Sequence, residues 1–416
     1  MPWARRTALP NGVRVLTERI PRVASASVGV WLAGGVEEEP PGLEGISHFA
    51  EHMLFKGTAT RSAHDIAEAC DDIGGQVNGI THREFTHLYA RTAAEQAEAA
   101  LGLLFELLLE SVCPPQELAR ERGVVIQEIR HVEDTPEEWV HELLLETAWA
   151  GHPLGRLLMG SVESVGRFTP ELVLDHLARA RVGQRLIVAA AGCVDHARLV
   201  DLVARLAGSL PAGEPVPRRE PPTFQAGRRV VRRDTGQGHL CIGTPGCAQS
   251  APERDTLAVL DVILGGGASS RLFQEIREKR GLAYSIGSSL QCYRAAGLLS
   301  VDAGCEPRDV GLLLELVDQE VERLRTQGPR EPELERAKTQ LEVALALAAE
   351  STSFRMHHLA MSELYWGRVL SFEELRAGVR AVSAEALHAA AQQAFRAERQ
   401  ALVVVGPFGE ETGLWR

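Results

Sequence analysis

The chain has 416 residues, with 44 Lys and Arg against 56 Asp and Glu and a formal charge of −12, a balance that disfavours nucleic acid and suits a chamber attracting basic peptides. Apolar residues make up 45%, enough for the cores of two large domains or more, yet no run of eighteen apolar residues occurs, so no membrane-spanning helix is expected. The start, Met1-Pro2-Trp3-Ala4-Arg5-Arg6, lacks the apolar segment of a secretion signal, and seven scattered cysteines without a C-x-x-C pair read as the reduced thiols of a cytoplasmic protein.

A domain pattern begins at once with Leu9-Pro10-Asn11-Gly12-Val13-Arg14-Val15, leaving no room for a cleaved presequence. Ser27 to Leu32 is strand-like. Next, Leu43, Ile46, Phe49, Met53 and Leu54 recur mostly at three- and four-residue spacing, which predicts a helix with a buried stripe and a stop at Gly57. That helix carries His48-Phe49-Ala50-Glu51-His52. Its two imidazoles project from one face, one turn apart, so both can reach one zinc ion at about 2.0–2.1 Å. Glu51 is then placed to touch an attacking water rather than the metal. The order H-x-x-E-H is a recognised zinc-peptidase pattern; the bland reading is two surface histidines with a helical salt-bridge partner.

A catalytic zinc takes three protein ligands and keeps one open position, so a third ligand comes from elsewhere. Pro114 to Ile129 predicts a helix with prolines at its start. Glu121 and Glu128 lie seven apart on one face of it, and either could reach the zinc. Glu138 and Glu142, four apart, share a face of a further helix.

The remainder repeats the plan of the first half. Glu163 to Leu172 opens a helical stretch leading to Leu186-Ile187-Val188-Ala189-Ala190-Ala191 and a stop at Gly192; Ala377 to Leu387 leads in the same way to Ala401-Leu402-Val403-Val404-Val405 and Gly406. Gly238 to Gly243 is the counterpart of the strand at 27–32. The counterpart helix, Glu253 to Leu264, has no H-x-x-E-H. Between the halves lies the proline-rich stretch from Ser209 to Pro222, a linker. Gly265-Gly266-Gly267-Ala268-Ser269-Ser270 lacks the order of a phosphate loop, so it predicts a tight turn with a serine cap before a helix from Arg271 to Arg280. Strand runs mixed with long helices predict an α+β fold with a sandwich in each half.

H-F-A-E-H-M-L-F-K-G-T at 48–58, followed seventy-six residues after His52 by the glutamate of V-V-I-Q-E-I, resembles the pitrilysin family of zinc metallopeptidases, nearest its processing peptidases. Gly74 to Thr81 with Glu84 and Tyr89, and Ser269 to Tyr284, extend the likeness over nearly the whole chain. The resemblance implies one zinc per chain held by His48, His52 and Glu128, with Glu121 as a supporting residue and Glu51 as general base. It implies that the strand from Gln76 to Tyr89 flanks an extended peptide, with Asn78 fixing its backbone. Gly79 departs from the alanine common in relatives. It implies that Arg277 and Tyr284 bind substrate and stabilise the transition state, and that Glu138 and Glu142 receive a basic side chain near the cut.

On this reading residues 1–210 form a zinc-binding peptidase domain, 211–226 a linker and 227–416 a similar domain with the Arg/Tyr pair. A two-domain chain would borrow that pair from a partner, so a homodimeric clamshell acting on peptides, without nucleic acid or membrane, is expected. The rival from another class is a non-catalytic scaffold or a subunit that needs a paralogous partner.

Overall fold

A computed structural model describes residues 3–408; Met1, Pro2 and 409–416, the end of the expected second domain, lie outside the described residues. Two sheets organise the chain. The first contains β1 (Arg5–Ala8), β2 (Arg14–Arg19), β3 (Ser25–Ala33), β4 (Gln76–Thr81), β5 (Phe85–Ala93) and β6 (Leu186–Gly192), in the order β1-β2-β6-β3-β5-β4. The second contains β7 (Gly227–Arg232), β8 (Gly238–Pro245), β9 (Ala283–Cys292), β10 (Gly297–Cys305) and β11 (Ala401–Gly406), in the order β7-β11-β8-β10-β9. Without β1 the two orders correspond strand for strand. Each sheet is antiparallel apart from one parallel pair, β2 with β6 and β7 with β11. The architecture is therefore α+β with an internal repeat.

Central strands buried on both faces explain the unbroken apolar runs in the sequence. All seven residues of β6 are buried. In β11, Val403 and Val405 face one helical layer while Val404 faces another, the alternation a pleated strand imposes. One face of the first sheet packs Val15, Val28 and Val30 against the helices Ile46–Leu54 and Ala97–Glu110. Its other face packs Leu16, Trp31 and Ile187 against Met356, Leu359 and Ala360 of the helix Thr352–Trp366.

That helix lies far along the chain, and its seat is polar as well as apolar. Glu363 forks onto Arg6 at 2.8 Å, Tyr365 donates to Glu84 at 2.8 Å, and Arg355 pairs with Glu18. The second sheet is covered reciprocally by Val140, Leu144 and Ala148 of the helix Pro136–Ala148. One compact unit thus comprises 3–129, Leu157–Arg218 and Ala346–Leu370, and the other Arg130–Arg156, Arg219–Leu345 and 371–408. This differs from a single cut at 211–226: each half of the chain gives one helix to the other unit.

Two local expectations also change. Gln76 to Tyr89 is a hairpin rather than one strand, with β4 at the sheet edge and β5 inside it. The helix after the glycine run is a π-helix over Phe273–Glu278, whose N-cap Leu272 gives no side-chain bond, and Ser270 Oγ is buried without a partner among the described residues. The serine cap does not form. No described helix is long and apolar enough to cross a membrane.

Candidate metal centre

The helix Ile46–Leu54 starts where Gly45 turns the backbone left-handed (φ 89°), and a Cβ at Gly45 would meet the Met159 carbonyl oxygen at 2.2 Å. Only glycine fits there. Glu39, 3% exposed, accepts from the Gly45 and Ser47 N–H groups at 2.9 Å each, placing an anion on the positive end of the helix. Ile46, Phe49, Ala50, Met53 and Leu54 are buried, which fixes the helix's rotation and leaves His48 and His52 together on another face.

The helix Pro115–Glu133 crosses this face with Glu121 and Glu128. The Nε2 atoms of His48 and His52 are 3.3 Å apart, and Glu128 Oε2 is 3.8 Å from the first and 3.5 Å from the second. Three donors at about 2.0–2.1 Å from a tetrahedral zinc stand about 3.4 Å from one another, so these residues fit the ion. Glu128 Oε2 is moreover buried without a hydrogen-bond partner among the described residues, the condition of an oxygen awaiting a cation. Burial, reinforced by His52, lowers the His48 pKa to about 3, which keeps its imidazole neutral and able to donate a lone pair.

Glu121 does something different. Its Oε1 lies 2.9 Å from His52 Nδ1, and its Oε2 lies 2.9 Å from Lys56 Nζ. Glu51 is held from β4, where Thr81 Oγ1 donates to its Oε2 at 3.3 Å. Its other oxygen faces the backbone of Gly79, where an added Cβ would come within 2.6 Å of Oε1. Burial raises the Glu51 pKa; His52 and the Thr81 hydroxyl oppose that, and Glu128 adds to it. The cluster opens into a groove of about 480 Å³ walled by β4. The Gly79 N–H in that wall donates to Asn78 Oδ1 at 2.9 Å, so this donor is not spent on β5.

The remaining expected site residues belong to the second unit. Glu138 and Glu142 sit on Pro136–Ala148. The Arg277 guanidinium lies over two rings, 4.7 Å from Phe273 and 5.3 Å from Tyr284, and Tyr284 is 79% exposed. Sequence reasoning passed over Lys56 and Thr81 as site members. Lys56 carried a signal, since it follows His52 at the same four-residue spacing that separates the two histidines.

A twice-repeated α+β sandwich bearing two histidines and a carboxylate at zinc spacing is the plan of a class of zinc peptidases. Residues 14–162 match Insulinase (Peptidase family M16), and residues 167–341 match the Peptidase M16 inactive domain. Similar full-length proteins include ones named as uncharacterized zinc proteases in Streptomyces coelicolor (37% identical; 98% of this chain, 90% of that one), Bacillus subtilis (35%; 97% and 98%) and Mycobacterium tuberculosis (39%; 99% and 94%). The chain belongs to peptidase family M16.

Among solved structures, a peptidase M16 inactive domain from Pseudomonas fluorescens superposes with a TM-score of 0.91 (20% identity; 98% and 99% covered). A protease from Helicobacter pylori gives 0.89 (22%; 97% and 100%), and a chain of Complex III2 from Candida albicans gives 0.85 (22%; 97% and 96%). These likenesses concern the fold alone. Residues 219–341 of the segment matched as inactive lie in the second unit, and among the described residues that unit contains no cluster able to hold a metal.

Proposed function

We propose that this chain is a zinc-dependent endopeptidase that hydrolyses extended peptides. One observation carries the reading: His48, His52 and Glu128 aim three donor atoms at one point with tetrahedral spacing, and Glu51 stands beside them. A zinc held there would polarise a peptide carbonyl and activate water for attack. Glu51 takes the proton from that water at Oε1, because Thr81 already occupies Oε2, and passes it to the leaving amine. The open edge of β4 offers backbone groups to an extended peptide, with Asn78 releasing the Gly79 N–H as the peptide docks. Arg277 and Tyr284 serve the developing oxyanion, supplied by a second copy in a homodimer, while Glu138 and Glu142 receive a basic side chain near the cut.

The test is cleavage of a quenched, arginine-containing peptide, with zinc content measured in parallel. Glu51→Gln keeps zinc and loses about 10²–10⁴-fold in rate. His48→Ala, His52→Ala and Glu128→Ala lose the metal as well. Wild-type zinc content in all three alanine variants, or wild-type cleavage by Glu51→Gln, contradicts the assignment. A zinc-loaded wild type that cuts nothing favours the scaffold reading, which is open to this fold because a Complex III2 chain shares it.

A further inference from the structure

We infer that Lys56 is a positioning residue of the metal centre: its ammonium holds the Glu121 carboxylate, which in turn holds the His52 ring with Nε2 turned to the metal. The inference rests on the ligand assignment above.

Lys56 follows His52 by one turn, and its N–H closes the end of the motif helix on the Met53 carbonyl at 3.1 Å. The side chain lines the same groove as His48 and His52. Glu121 bridges with both oxygens, 2.9 Å to Lys56 Nζ and 2.9 Å to His52 Nδ1. Its side chain is 7% exposed against 30% for Lys56, so Lys56 is the solvent-facing end of the chain of contacts and Glu121 its buried middle. A buried carboxylate needs a partner on each oxygen. Without Lys56, Oε2 loses its partner and the plane of the carboxylate is no longer fixed at both ends.

The plane matters because an imidazole offers one lone pair. An acceptor on Nδ1 keeps the proton there and leaves Nε2 free for a metal. Of the two histidines, His52 alone has a carboxylate on Nδ1, since His48 Nδ1 is buried without a partner among the described residues. Charge points the same way. Among the described residues the groove wall contains three carboxylates, Glu51, Glu121 and Glu128, and Lys56 is its one lysine or arginine. An ordinary half-exposed ion pair would contribute a little stability and nothing to the metal. The two roles therefore separate on metal affinity.

The experiment uses full-length wild type, Lys56→Met, Lys56→Arg and Glu121→Gln, stripped of metal. Zinc alone is titrated against a chromophoric chelator, and the unfolding midpoint of each stripped protein is recorded beside it. Lys56→Met is expected to weaken zinc about ten-fold, the lower end of what loss of a ligand's supporting partner does. Lys56→Arg recovers most of that loss, and Lys56→Met adds little in a Glu121→Gln background. A Lys56→Met protein that binds zinc as wild type does, with only its midpoint lowered, overturns the inference. Should that variant aggregate, Lys56→Gln carries the same expectation. A wild type that binds no zinc sinks the ligand assignment itself, a result distinct from unequal or equal affinities among zinc-binding variants.

Discussion

Thr81 points its hydroxyl at Glu51 Oε2 across 3.3 Å, from the strand that walls the groove. Thr81→Val keeps the shape and removes the donor. A bond of this length to a carboxylate contributes about 1 kcal/mol, so kcat should fall roughly five-fold. KM and zinc content should stay put, and Thr81→Ser should restore the rate; an unchanged kcat in the valine variant would show that Glu51 is held by packing alone. At this scale the sequence was most informative where the information is local. His48, Glu51 and His52 lie within one helical turn, and their relative placement follows from helix geometry. Glu121 and Glu128 share a helix face, and spacing left them interchangeable. Which one meets Nδ1 and which meets the Nε2 pair depends on how two helices cross, and no periodicity encodes that. Gly79 was legible as a departure but not as a contact, since its closeness to Glu51 joins residues 28 apart in the chain.

Elements were legible where their burial pattern is uniform. The strand runs ending at Gly192 and Gly406 appear as β6 and β11. The run at 265–270 misled in one respect: Ser270 does begin an α-turn, its carbonyl accepting from the Gln274 N–H at 3.1 Å, but its hydroxyl is buried and makes no cap bond among the described residues, and from Phe273 the chain widens to a π-helix. What anchors that segment is ionic. Arg271 forks onto Glu333, 2.8 Å to Oε2 and 3.2 Å to Oε1, and Arg330 adds a 2.6 Å contact; the Arg271 and Glu333 side chains are 11% and 6% exposed. Removing one partner leaves a buried charge uncompensated, so Glu333→Ala should lower unfolding free energy by about 3–5 kcal/mol in urea titrations. Burial pushes the Glu333 carboxyl up, but Arg330 and Arg271 together outweigh it and hold the pKa at about 2, against 4.5 for a free carboxyl. The contribution is therefore complete above about 4.5 and fades as pH falls towards 2. The stability gap between wild type and Glu333→Gln should narrow over that window; a gap constant with pH would deny Glu333 its ionic role.

At the scale of the molecule, two similar halves could be read from paired openings and closings, and the two sheets correspond accordingly. The exchange of Pro136–Ala148 and Thr352–Trp366 could not be read. An amphipathic pattern says that a helix has a face to bury, not which sheet receives it. Residues 1–212 expressed alone would leave Trp31, Leu16 and Ile187 without Met356, Leu359 and Ala360, and 213–416 would lack Val140, Leu144 and Ala148. Each fragment should aggregate by itself, while the pair co-expressed should co-purify as a soluble complex; one fragment that folds alone would refute this. The exchange also bears on how such a chain could arise. A solitary half is missing the helix that covers its sheet, and two identical halves could complete each other only by trading that helix, which is a domain swap. Fusing them makes the trade intramolecular, at an effective concentration in the millimolar range. Folding then no longer depends on how much protein the cell makes, and one copy is free to lose its metal ligands while still lending its helix.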